Sequence, residues 1–136
     1  MSTLTEVIES LFGEVSSFAS SNGGLPIAWP EVDFDPPNEG QWLEVSLLID
    51  DSEDYGLAKG EGAIMRGTLR IGVCDKPGGG SLDSLSIASL IQANWQKSKA
   101  ITGTNAIVES TPSISSPLVY GDSITVYSSI RWWYTL

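Results

Sequence analysis

The sequence predicts an α+β fold, a small and mostly antiparallel sheet flanked by two helices. Three observations carry this: apolar residues recur at helical spacing near the N-terminus, two later stretches alternate with the period of a strand, and a Pro-Gly break precedes a second helical stretch. Leu4, Val7, Ile8, Leu11, Val15 and Phe18 fall on one stripe of a helix over about 4–20. Thr3 with Glu6 three residues later fits a capping box, and Asn22-Gly23-Gly24 is a stop signal.

Pro26, Pro30, Pro36 and Pro37 exclude helix through 25–40 and exclude a central strand as well, leaving an extended arm or a sheet edge. Ile27, Trp29, Val32 and Phe34 are spaced along it to pack on the domain's own core or on a neighbouring subunit. Over 41–50, Leu43, Val45, Leu47 and Ile49 alternate with Trp42, Glu44, Ser46 and Leu48, which is a half-buried strand. Over 63–74, Met65, Leu69, Ile71 and Val73 share one face, and Arg66, Thr68 and Arg70 share the other. This second strand is antiparallel to the first if the connection between them is a long hairpin. Lys76-Pro77-Gly78-Gly79-Gly80 ends it, and Ser81 can cap a helix to about Lys99, with Leu85, Ala88, Ile91 and Trp95 on one face. Lys97 and Lys99 would then sit in the last turn, where cations suit the helix dipole. Ile107–Val108 starts the return to β structure, Pro112 and Pro117 hold an irregular stretch, and Leu118-Val119-Tyr120 with a Gly121-Asp122 turn leads into a final strand over 123–134. At 136 residues this is one domain, 1–136, with a Pro-rich arm (25–42) and an acidic loop (50–62).

Composition excludes several functions. Seven Lys+Arg against 17 Asp+Glu give a formal charge of −10, so most of the surface repels phosphate and a duplex-binding role is improbable. There is no His, and Cys74 is the single Cys. Ser-His-Asp and Cys-His catalysis, CxxC zinc sites and intrachain disulfides are therefore absent. Acidic residues precede any cation at the N-terminus, unlike a secretory signal, and no apolar run is long enough to span a bilayer; a soluble protein made in a cytoplasm is expected, with no membrane partner. Twelve Asp/Glu and no Lys or Arg lie before Lys59. Such a segregation is commonly just a solvated face, but it also suits head-to-tail contact between copies.

Candidate sites are few. Asp50, Ser52, Asp54 and Glu61 have the spacing of several EF-hand ligands, but Tyr55 occupies the turn position that needs Gly, and both flanks read as strands; a solvated hairpin tip fits better. Gly78-Gly79-Gly80-Ser81 lacks the Lys and Ser/Thr pair of a phosphate loop. The carboxylate pairs Asp33/Asp35 and Glu53/Asp54 have no activator beside them, so an enzyme is not expected, nor a cofactor or metal. Aromatic residues say more: in the last strand Trp133 faces opposite to Trp132 and Tyr134, and Trp29, Trp42 and Trp133 exposed together would make a protein-binding surface. The alternative is that the first helix and the arm cover them.

Leu25-Pro26-Ile27-Ala28-Trp29-Pro30, followed by Phe34, Pro36-Pro37 and Trp42-Leu43-Glu44-Val45, resembles the N-terminal region of tail terminator-like proteins of long-tailed phages. Arg66-Gly67-Thr68-Leu69-Arg70-Ile71, a Pro-Gly loop, a helix and a last strand ending in paired aromatics continue the likeness over nearly the whole chain. The acidic stretch 50–62 has no counterpart in it. The resemblance implies an α+β fold, a homohexameric ring that caps the tail tube and stops its polymerisation, and a surface for the head-tail connector at the neck of the virion. It implies no catalytic residue. Trp29, Phe34, Trp42, Arg66, Arg70, Arg131 and Trp133 are the candidates for the subunit interface. Asp51, Glu53, Asp54, Tyr55, Lys76, Pro77 and Gly79 are those for contact with the tail tube protein or the connector. Six domains, each with a radius of gyration of roughly 14 Å, would leave a lumen on the order of 30–40 Å, through which DNA passes without specific binding. The other readings are a different neck component, a connector or tail completion protein, and a small protein-binding module.

Overall fold

The computed structural model describes residues 2–50, 52–54, 62–78 and 82–136. The first helix, α1 (Leu4–Ser21), begins where Thr3 Oγ1 accepts the Glu6 N–H at 3.2 Å. It ends where Gly23 and Gly24 take positive φ, letting the amides of Asn22, Gly24 and Leu25 all reach the Ala19 carbonyl. Val7, Leu11, Val15 and Phe18 of the expected stripe are buried; Leu4 and Ile8 are half-buried at its rim.

The arm then contributes a two-residue strand, β1 (Ile27–Ala28), parallel to β2 (Trp42–Ile49) at the sheet edge, where Pro26 accepts the Leu43 N–H at 2.8 Å. Beyond them lie β3 (Glu53–Asp54), β4 (Ala63–Asp75), α2 (Leu82–Asn94), β5 (Ile107–Val108), β6 (Ser113–Ile114), β7 (Leu118–Tyr120) and β8 (Ser123–Thr135). The sheet runs β1-β2-β4-β8-β5, with β6 and β7 taking up further lengths of β8 and β3 pairing β4. β4 and β8 pair antiparallel from Ile64↔Thr135 to Asp75↔Ile124, and every pairing except that of β1 with β2 is antiparallel.

Both helices cover one face of this sheet. Leu43, Val45, Leu69, Ile71, Val73, Val126, Ile130, Trp132 and Tyr134 project into that core, where they meet α1 and the Ala88, Ile91 and Trp95 side of α2. Gly67 faces Trp132 across the β4–β8 pair, and a Cβ there would lie 2.7 Å from Trp132 Cε2. The missing side chain makes room for the indole.

Two expectations need correction. The second helix stops at Asn94 instead of near Lys99, so Lys97 and Lys99 lie beyond its last turn. Long-range bonds overrule the helical pattern there: Ser98 N–H donates to Val108, Val108 N–H to Lys99 and Ile101 N–H to Ala106, folding 98–108 back on itself with Ser98 at positive φ. Lys99 Nζ still donates to the Asn94 carbonyl at 2.8 Å, so it serves the helix end from outside. The second correction concerns Trp42, which is only 6% exposed and lines a small hollow with Pro36, Lys76 and the 120–123 turn. It is a covered residue, not part of an open aromatic surface.

Candidate assembly surfaces

Strand alternation gives the sheet a second face that neither helix touches. Across it run the rows Glu44–Gly72–Tyr127, Ser46–Arg70–Ser129 and Leu48–Thr68–Arg131, followed by Arg66–Trp133. All three arginines of the chain stand on this face. Glu109, just beyond β5, lies 3.3 Å from Arg66 Nε and 3.6 Å from Arg131 Nε. Arg70 lies over the Tyr127 ring at 4.3 Å, and its buried Nε has no hydrogen-bond partner among the described residues. Leu48 is 52% exposed and Trp133 half-buried, so apolar surface interleaves with the guanidinium groups.

The remaining interface candidates lie elsewhere. Trp29 packs on Phe12 of α1, with ring centroids 5.1 Å apart, and Phe34 is half-buried on the arm. The residues proposed for tube or connector contact divide between the two ends of the long strands. Glu53 and Asp54 pair with Ile64 and Ala63 where β4 begins, whereas Lys76 and Pro77 follow Asp75 where it ends. At about 3.3 Å per residue these ends are roughly 40 Å apart. Asp51, Tyr55 and Gly79 lie outside the described residues, as does Glu61 of the calcium-like spacing. Beside Lys76 sits the β7–β8 turn, and β7 itself leaves Leu118, Val119 and Tyr120 exposed at 40%, 70% and 55%. Sequence reading placed that hairpin correctly but did not single it out, although three consecutive apolar residues beside a Gly-Asp turn were a visible signal.

Chemistry is sparse among the described residues. No group of three or more His, Cys, Asp or Glu there could hold a metal ion, and no helix there is long and apolar enough to cross a membrane. Cys74 is free and buried; loss of hydration raises its thiol to about 11, with Glu44 adding to the shift against a hydrogen bond from Thr125. Such a thiol is a poor nucleophile. A hollow of about 780 Å³ lies between the helices, and Glu14 is committed to structure at its rim. Its Oε1 accepts the Trp95 indole N–H at 2.8 Å, and its Oε2 accepts the Thr102 amide and hydroxyl at 2.8 and 2.9 Å. These bonds tie α1 to the turn after α2, a role that one acidic residue among many did not announce.

Comparison with known proteins adds three findings. A family model described as phage tail terminator protein matches residues 7–132. A solved structure with 21% sequence identity superimposes with a TM-score of 0.76, covering 98% of this chain and 96% of its own, which establishes the shared fold. No curated protein matches the sequence.

Proposed function

The chain belongs to the phage tail terminator family, and from that membership we propose that it forms a ring on the last layer of the tail tube, stops polymerisation there and joins the tail to the head connector. A tube of identical rings has no intrinsic length, so a cap must match the tube on one side and refuse a further tube subunit on the other. What supports this reading is that the two groups of candidate contact residues are separated by the full length of β4 and β8. The 76–78 segment with the exposed β7–β8 hairpin lies at one end, and β3 with the start of β4 at the other. In a ring with its strands inclined toward the axis, these ends would meet different partners. The working location is the neck of the virion, after assembly in the host cytoplasm, and the net negative charge keeps transiting DNA from adhering.

Deleting the gene in the parent phage should give headless particles with overlong or irregular tubes, and purified protein should arrest polymerising tube subunits. Tails of normal length without it would remove the terminator reading and leave a connector or tail completion role in its place.

A further inference from the structure

The helix-free face and the arm are complementary in charge and in spacing. Arg66, Arg131 and Arg70 occupy three successive rows of the β4–β8 pair, because Arg131 stands opposite Thr68, midway between the other two. Rows two residues apart are separated by about 7 Å along the strands. On the arm, Asp33 and Asp35 are also two residues apart and both exposed, on either side of the half-buried Phe34. Asp35 precedes Pro36 and is thereby kept out of helical conformation, and 33–37 form no helix. Neither carboxylate has a hydrogen bond or ion pair among the described residues.

We infer that Asp33 and Asp35 of one copy dock on Arg70 and Arg131 of the next, which stand one row apart, forming the contact between neighbouring subunits; this rests on the ring reading above and names its interface. The chain's own arm cannot make the contact. Pro36 shares a hollow with Trp42, and Gln41 donates to Asp75 at 2.9 Å, which hold the arm's end at the Trp42↔Cys74 row. The arginine rows lie four to eight residues further along β4, roughly 13–27 Å away. Donor and acceptor surfaces are therefore different parts of the molecule. Repeated in one direction around an axis, such a contact is head-to-tail and closes into a ring when its rotation closes. Arg131 is exposed and the buried Nε of Arg70 has no hydrogen-bond partner among the described residues, and Leu48 and Trp133 supply apolar area beside them.

The test is a charge swap read by light-scattering mass and negative-stain imaging at about 0.1 M salt, with circular dichroism checking the fold. Asp33→Arg/Asp35→Arg alters only exposed, unpartnered side chains and should raise the concentration needed for rings by roughly tenfold or more. Arg70→Glu/Arg131→Glu should do the same, and the chain carrying all four changes should recover rings. Folded arm variants that assemble like the parent, or a fourfold variant that fails to recover, overturn the contact while the ring reading stands. A parent protein that stays monomeric, both alone and on tube ends, overturns both.

Discussion

Two single residues show how closely the core is specified. At Gly67 an added methyl would strike the Trp132 ring, and that ring is fully buried between β4 and the helices, with Tyr134 stacked on it at 6.2 Å. Gly67→Ala is expected to cost about 1–3 kcal/mol, the usual penalty for forcing volume into a filled core. Denaturant titration checks it, and an unchanged midpoint would mean that Trp132 has room to shift. Cys74 makes stability depend on alkaline pH. Its thiol, 9.0 when exposed, is raised to about 11 by burial, so the folded state holds its proton after the unfolded chain has lost it. Stability should fall as pH rises from about 9 toward 11, by up to about 2–3 kcal/mol for this group. Tyr127 and Tyr134, whose hydroxyls are raised chiefly by burial, add to the fall above pH 10. Unfolding midpoints measured from pH 8 to 11 should decline less steeply in Cys74→Ala than in the parent.

Among the elements, protection should follow pairing. β4 is bonded on both sides by β2 and β8, so amides from Thr68 to Val73 should exchange at rates set by global unfolding. Among the described residues the arm past Val32 makes no backbone hydrogen bond within 33–40, and its amides should exchange orders of magnitude faster. Slow exchange throughout the arm of the monomer would mean that it is covered by some other segment. Slowing that appears only in assembled rings is the outcome that agrees with the docking of Asp33 and Asp35. The same reasoning explains α2. Its apolar pattern continues to Trp95, but Trp95 is claimed by Glu14 and the residues after it by Val108 and Ala106, so tertiary bonds end the helix before Lys97.

At the scale of the whole molecule, a chain carrying −10 must associate against its own repulsion. Two electrostatic effects then oppose each other as salt rises. At 0.01 M the screening length is about 30 Å and copies repel across their full width; by 0.1 M it is about 10 Å and most of that repulsion is gone. Near 1 M it is about 3 Å, and contact pairs between arginine and carboxylate weaken as well. Assembly should therefore strengthen up to about 0.1 M and weaken toward 1 M. Sedimentation across this range checks it, and strengthening that continued to 1 M would assign the interface to apolar packing instead.

Much of this was legible in the sequence because it depends on local chemistry. The stripe from Leu4 to Phe18, the alternation along 41–50 and 63–74, and the turn at Gly121-Asp122 each set an element through periodicity or backbone preference, and together they imply two helices on a mostly antiparallel sheet. The opposed directions of Trp132 and Trp133 follow from the same period of two. What depended on distant residues could only be decided by the tertiary structure. Trp42 is buried where Pro36, Lys76 and the 120–123 turn come together beside it, Glu14 is structural because Trp95 and Thr102 come to it, and Arg66 and Arg131 share Glu109 because β5 closes on β8. Pattern along a chain reports which way a side chain points. It does not report what meets it there, and that meeting buries one tryptophan while leaving a face of arginines free of helices.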